Sequence, residues 1–115
     1  MKRIFALILA AAILMCCLIA CDKKNRVQVL SNSMSPTYSA GDWVDYEPID
    51  DCSVLKQGDI IVYEDKDGNS VVHRIVEIIK DESGSFRFVT KADANNIVDE
   101  DPVTEDQIIG RAVSK

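Results

Sequence analysis

Residues 59–91 read DIIVYEDKDGNSVVHRIVEIIKDESGSFRFVTK, three apolar runs divided by two short polar breaks. The runs DIIVYED, VVHRIVEIIK and SFRFVTK are rich in Val, Ile, Phe and Tyr and partly alternate with polar residues, a pattern of strands with little helical periodicity. The breaks carry turn chemistry. KDGN at 66–69 holds the Asp-Gly pair of a tight hairpin, and ESG at 82–84 supplies a second glycine-bearing turn. Two successive hairpins pair the strand that bears His73 with a neighbour on each side.

Working outward, RVQVLS and DWVDYEP precede this block and QIIGRAVS follows it, each a further strand signal. The expected fold is mostly β, a small antiparallel β-sheet domain over residues 27–115. A polar juxtamembrane linker at 22–26 precedes it, and an apolar helix is expected ahead of that at 1–21. At 115 residues the chain has room for one such domain. No internal repeat or low-complexity segment interrupts it.

Thirteen Lys and Arg face nineteen Asp and Glu, a formal net charge of −6. Without Lys2 and Arg3 the balance is 11 against 19, or −8. An acidic surface of this kind excludes nucleic acid as the expected partner, because phosphate binding needs a basic one.

The head, MKRIFALILAAAILMCCLIAC at 1–21, has a two-residue basic start and then an unbroken apolar run from Ile4 to Cys21. It reads as an export or anchoring segment that leaves the following domain outside the membrane. As a helix, roughly 18 residues rise about 27 Å against a hydrocarbon core of about 30 Å, so a spanning anchor is just long enough. The flanking charges do not fix its orientation: Lys2 and Arg3 on one side face Lys23, Lys24 and Arg26 on the other, offset by Asp22. The run ends in LIAC, Leu18 to Cys21, which resembles the lipobox of bacterial lipoprotein precursors. That resemblance implies diacylation of Cys21, which would then become the mature N-terminus. Either route tethers the domain to a membrane surface. Cys16 and Cys17 lie inside the apolar run, and Cys52 is left without a partner, so no internal disulfide is expected. No metal-ligand spacing occurs, and neither a metal nor another cofactor is expected.

The candidate chemistry begins at LSNSMSPTY, residues 30–38, where Ser31, Ser33 and Ser35 cluster beside a Met-x-Pro step. A serine hydroxyl is a poor nucleophile until a neighbouring base takes its proton. The single histidine, His73, lies forty residues after Ser33 on a strand that can carry its ring to a loop-borne serine. From these residues alone, any of the three serines is either a turn former or a nucleophile.

Four boxes in order, SNSMSPT, GDIIVY, VVHRIV and TKADANNIVD, resemble those of the signal peptidase I family. The closer resemblance is to its endoplasmic-reticulum, archaeal and spore-former branch, in which His replaces the usual Lys base. The resemblance runs over about residues 27–113, and it implies a β fold of the kind shared with LexA-like proteases. It implies further that Ser33, just before Met34, is the nucleophile and His73 the general base, with Ser31 and the Ser33 backbone N–H forming the oxyanion hole. Pro36 and the Gly58-Asp59 turn take structural roles. A carboxylate that orients His73 is implied at Asp93 or Asp99, with Glu100 and Asp101 near the second position, and the residues do not choose between the two.

The chain departs from the family pattern at Asn32 and Ala92, where glycine is usual, and it stops at Lys115, where relatives usually continue. If position 32 needs a positive φ, Asn is the best tolerated substitute. The implied activity is a membrane-tethered serine endopeptidase that cuts signal peptides from exported proteins after small residues. Its implied place is the extracytoplasmic face of the bacterial cytoplasmic membrane, with signal peptides and the membrane as partners. The competing expectation is a non-catalytic lipoprotein of the same fold that binds extended peptides by strand addition. Self-cleavage of the LexA repressor type is set aside, since the chain has neither a Lys base in the matching box nor a DNA-binding arm.

Overall fold

The computed structural model describes residues 25–113. The apolar head, with Cys16, Cys17 and the candidate lipidation residue Cys21, lies outside them. Seven strands follow one another: β1 (Asn25–Gln28), β2 (Trp43–Pro48), β3 (Ile60–Glu64), β4 (Ser70–Lys80), β5 (Phe86–Lys91), β6 (Val103–Thr104) and β7 (Ile108–Ala112). They form one antiparallel sheet in the order β1-β2-β7-β3-β4-β5-β6. The mostly β architecture is thus the one expected, with β4 between β3 and β5. The strand β1 takes in Asn25 and Arg26, residues expected in the linker. The two-residue β6 is too short to leave a pattern in the sequence.

Both hairpins close as their residues dictate. Asp65 Oδ1 accepts from the backbone N–H of Asp67 and Asn69, both at 2.9 Å, and Gly68 takes φ +83°. At the next turn Asp81 Oδ1 accepts from the N–H groups of Ser83 and Ser85, both at 3.0 Å, with Gly84 at φ +90°. Each loop is a local hydrogen-bonded turn whose left-handed position is filled by the residue that adopts it at least cost.

The continuous apolar run in β3 is buried from both sides, so the sheet carries two cores. Val62 joins Val29, Met34, Tyr38, Val44, Val72 and Ala92 on one face. Its neighbours Ile61 and Tyr63 join Cys52, Leu55, Ile75, Phe88 and Val103 on the other. Alternation along a strand puts successive side chains on opposite faces, which is why one five-residue strand serves both cores. Between β2 and β7, Gly110 lies opposite Pro48, and a Cβ there would come within 2.5 Å of the Glu47 carbonyl oxygen. A glycine is required at that crossing for lack of space.

One irregularity bears on the site. Ile75 pairs with Thr90 but Glu77 pairs with Val89, so Val76 is an extra residue on β4. A bulge of this kind bends its strand and re-aims the side chains beside it. Here it falls three residues after His73.

Candidate active site

The loop that carries the three serines is tied down from several directions. Met34 is fully buried in the core, and its Sδ accepts from the Asp93 N–H at 3.3 Å. On either side, the Ser33 carbonyl accepts from the Ala94 N–H at 2.8 Å, and the Met34 carbonyl accepts from the Tyr38 N–H at 2.9 Å. Asn32 does not use a positive φ, since no residue other than glycine among those described has one. It works through its side chain instead: Asn32 Oδ1 accepts from the Ala40 N–H at 2.9 Å and closes the loop. Ala92 is fully buried against the same core, so its methyl group is accommodated where the family pattern has glycine.

Within this loop Ser31 and Ser33 stand together. Their hydroxyl oxygens are 3.2 Å apart, and Ser31 Oγ accepts from the Ser33 N–H at 3.4 Å. Ser33 and His73 line one cavity of about 300 Å³, walled on one side by Gln28, Val29 and Leu30 and on the other by Ser70, Val71 and Val72. Among the described residues no direct hydrogen bond joins Ser33 Oγ to the His73 ring. Ser35 contributes its N–H to the Asn32 carbonyl at 3.1 Å, a turn contact.

The ring of His73 is held from behind. Its Nδ1 lies 2.6 Å from Asp99 Oδ2, with both side chains mostly buried. A carboxylate can only accept, so Nδ1 is the nitrogen that donates to it, and whenever the ring is neutral Nε2 is the basic nitrogen. The Tyr63 ring meets the imidazole edge-on, 6.2 Å between centroids at 73°. Thr90, fully buried, donates its hydroxyl to the same Asp99 Oδ2 at 2.6 Å, while the Asp99 N–H donates to the Thr90 carbonyl at 2.8 Å.

Asp93 faces elsewhere. Its two carboxylate oxygens accept from Arg74 Nε at 2.8 Å and Nη2 at 2.9 Å, and Oδ2 also accepts from Thr37 Oγ1 at 2.6 Å. The Arg74 guanidinium holds the Asp93 carboxyl below the usual carboxylate range, against the opposing effect of burial. The pair joins the serine loop, the middle of β4 and the segment after β5. Of the two aspartates left open in the sequence, the structure brings Asp99 to His73 and Asp93 to Arg74.

Thr90, Tyr63, Arg74 and Thr37 were not singled out in the sequence. Thr90 had a signal: in FRFVTK it follows Phe86 and Phe88 at alternate positions, a polar residue where the strand pattern points inward. Among the described residues no cluster of His, Cys, Asp and Glu has the makings of a metal site. A larger cavity, about 600 Å³, lies on the far side of Asp99 between Asp65–Asp67 and residues 99–107, and it includes none of the serines and not His73.

The family model described as "Signal peptidase, peptidase S26" matches residues 1–81, a span that includes Ser31, Ser33 and His73. Signal peptidase I W of Bacillus subtilis is 35% identical over 80 residues, covering 70% of this chain and 42% of that protein. The signal peptidase complex catalytic subunit SEC11C of Homo sapiens is 29% identical over 94 residues, 75% of this chain and 48% of its own length. The corresponding sec11 subunit of Dictyostelium discoideum is 35% identical over 94 residues, 75% and 51%. The chain spans about half the length of the curated relatives it matches.

Proposed function

The chain belongs to the signal peptidase S26 family, and from that premise we propose that it is a membrane-tethered serine endopeptidase that removes signal peptides from exported proteins. The observation that carries the proposal is the site itself: Ser33 and His73 line one small cavity, and His73 Nδ1 is engaged by Asp99 so that Nε2 is left to act as a base.

In the proposed reaction His73 Nε2 takes the proton from Ser33 Oγ as that oxygen attacks the scissile carbonyl. The negative charge on the carbonyl oxygen is met by the Ser33 N–H and the Ser31 hydroxyl, which in the free protein satisfy each other at 3.4 Å. The imidazolium, stabilised by Asp99, returns its proton to the leaving amine. Water then enters, gives a proton to His73 and its oxygen to the acyl carbon, and the proton goes back to Ser33 as the acid departs. Closing the Ser33 to His73 contact belongs to substrate binding, since catalytic hydrogen bonds tighten in the Michaelis complex.

The cavity of about 300 Å³ fits small side chains before the cut. The proposed location is the outer face of a bacterial cytoplasmic membrane, with the head as tether, retained as a span or replaced by a lipid on Cys21. Confining enzyme and substrate to one surface raises their effective concentration. The short β1 leads from that tether into the serine loop, which would put the cut close to the bilayer.

One observation favours a second reading, a non-catalytic binder of extended peptides. Ser33 Oγ is bonded to Ser31 and not to the His73 ring. The deciding experiment incubates the full chain in detergent with a preprotein carrying Ala-x-Ala before its cut. Cleavage by the parent protein and none by Ser33→Ala, with equal folding, supports the peptidase; turnover that survives in Ser33→Ala overturns it. Saturable binding without cleavage by the parent protein supports the binder.

A further inference from the structure

Thr90 is one step removed from the base, and its chemistry is unusual for its place. It is the one buried polar residue among the described residues, and both its hydroxyl and its carbonyl are committed to the site. Its carbonyl accepts from the Asp99 N–H at 2.8 Å, and its hydroxyl donates to Asp99 Oδ2 at 2.6 Å. That oxygen is the one His73 Nδ1 contacts, also at 2.6 Å. Asp99 belongs to the long segment between β5 and β6, a connection with few other means of fixing a carboxylate.

We propose that Thr90 is the positioning residue of the base: by gripping Asp99 at both its backbone and its carboxylate, it sets the orientation of the His73 ring and the tautomer that leaves Nε2 free. This rests on the serine peptidase reading given above. A carboxylate on a loop, held only by the imidazole, swings with it, and the ring then samples orientations that face away from Ser33. Two anchors from a rigid strand remove that freedom, because β5 is paired on both sides, with β4 and with β6. The bulge at Val76 keeps Ile75 opposite Thr90, which holds the donor in register with the strand that bears His73. Tyr63 completes the surround: burial pushes its phenol up from the ordinary value, and the nearby Asp99 charge raises it further. The groups facing the pair are therefore Tyr63 from β3, His73 from β4 and Asp99 itself, with Asp65 further off.

The test compares Thr90→Val, which keeps the shape and loses the hydroxyl, with Thr90→Ser, which keeps the hydroxyl and loses the methyl. Loss of a hydrogen bond to a charged group should lower kcat about tenfold or more in Thr90→Val, with KM within about twofold. Thr90→Ser should retain kcat within about threefold, the small loss expected for one buried methyl. Because the chain has one histidine, ¹⁵N labelling of that residue in the full chain reports its Nδ1 proton without ambiguity. That proton should be protected from exchange in the parent and in Thr90→Ser, and exchange fast in Thr90→Val. If Thr90→Val loses its folded near-ultraviolet spectrum, Thr90→Ala takes its place in both measurements. Unchanged kcat and an unchanged proton signal in the hydroxyl-less variant overturn the proposal, as does a Thr90→Ser variant as impaired as Thr90→Val. The proton signal needs no turnover, so it decides the role of Thr90 even if the Ser33→Ala experiment overturns the serine peptidase reading.

Discussion

Asp99 and His73 stand 26 residues apart in the chain and 2.6 Å apart in space, Oδ2 to Nδ1. Exchanging that carboxylate for an amide reverses what the ring can do. The Asn side chain can present its NH₂ to Nδ1, which shifts the ring proton to Nε2 and removes the proposed base. Asp99→Asn is expected to lower kcat/KM by about two orders of magnitude or more, with folding retained. Steady-state cleavage of a preprotein measures it.

Ser31 offers a graded comparison. Its hydroxyl lies against the Ser33 N–H and Oγ, so under the proposed mechanism Ser31→Ala removes one donor for the oxyanion and leaves the nucleophile in place. The expected loss in kcat is about 10²-fold to 10³-fold, with KM little changed, whereas Ser33→Ala should leave no measurable turnover. Parallel progress curves on the two variants separate the roles.

The Asp93 to Arg74 ion pair predicts a stability effect that depends on pH. The Asp93 carboxyl is held below its ordinary value, chiefly by Arg74, so the folded state binds this proton more weakly than the unfolded chain does. Its contribution is therefore complete above the unfolded carboxylate value of about 4 and is lost as acid takes the pH down through the folded value. Asp93→Asn should cost about 1–3 kcal/mol at neutral pH, and less as the pH falls below that range. Thermal melts of the parent and variant across pH 2–7 should converge at the acid end.

Cys52 is buried among Leu55, Ile61 and Phe88, and burial raises its thiol above the ordinary value. Less thiolate and less access both slow alkylation. Mass spectrometry of the Cys52 peptide should find it unmodified after brief iodoacetamide treatment of the native protein, and fully modified once the protein is unfolded in guanidinium.

The six longer strands were legible in the sequence because each packs Val, Ile, Phe or Tyr side chains against a core, and the two hairpins because Asp-Gly and Ser-Gly steps leave few alternatives for the turn. Ser31, Ser33 and His73 could be named from four ordered motifs, and the comparisons supply the family to which those motifs belong. What the motifs left open was the choice between Asp93 and Asp99, which are six residues apart in one acidic loop and look alike in a linear chain. Only the fold separates them: the register of β4 against β5 puts Thr90 and Asp99 beside His73, while Arg74, the next residue along, claims Asp93 on the other face of the same strand. Alternation along β4 sends adjacent side chains to opposite sides of the sheet, and that geometric fact assigns the two carboxylates to different partners. Asn32 makes the same point in miniature, since its identity suggested a backbone conformation and its place in the loop gave it a hydrogen bond to Ala40 instead. Local pattern determined which segments are strands and which residues are candidates; partners that come together across tens of residues were decided by the pairing of the sheet, because contacts of that range have no periodicity to betray them.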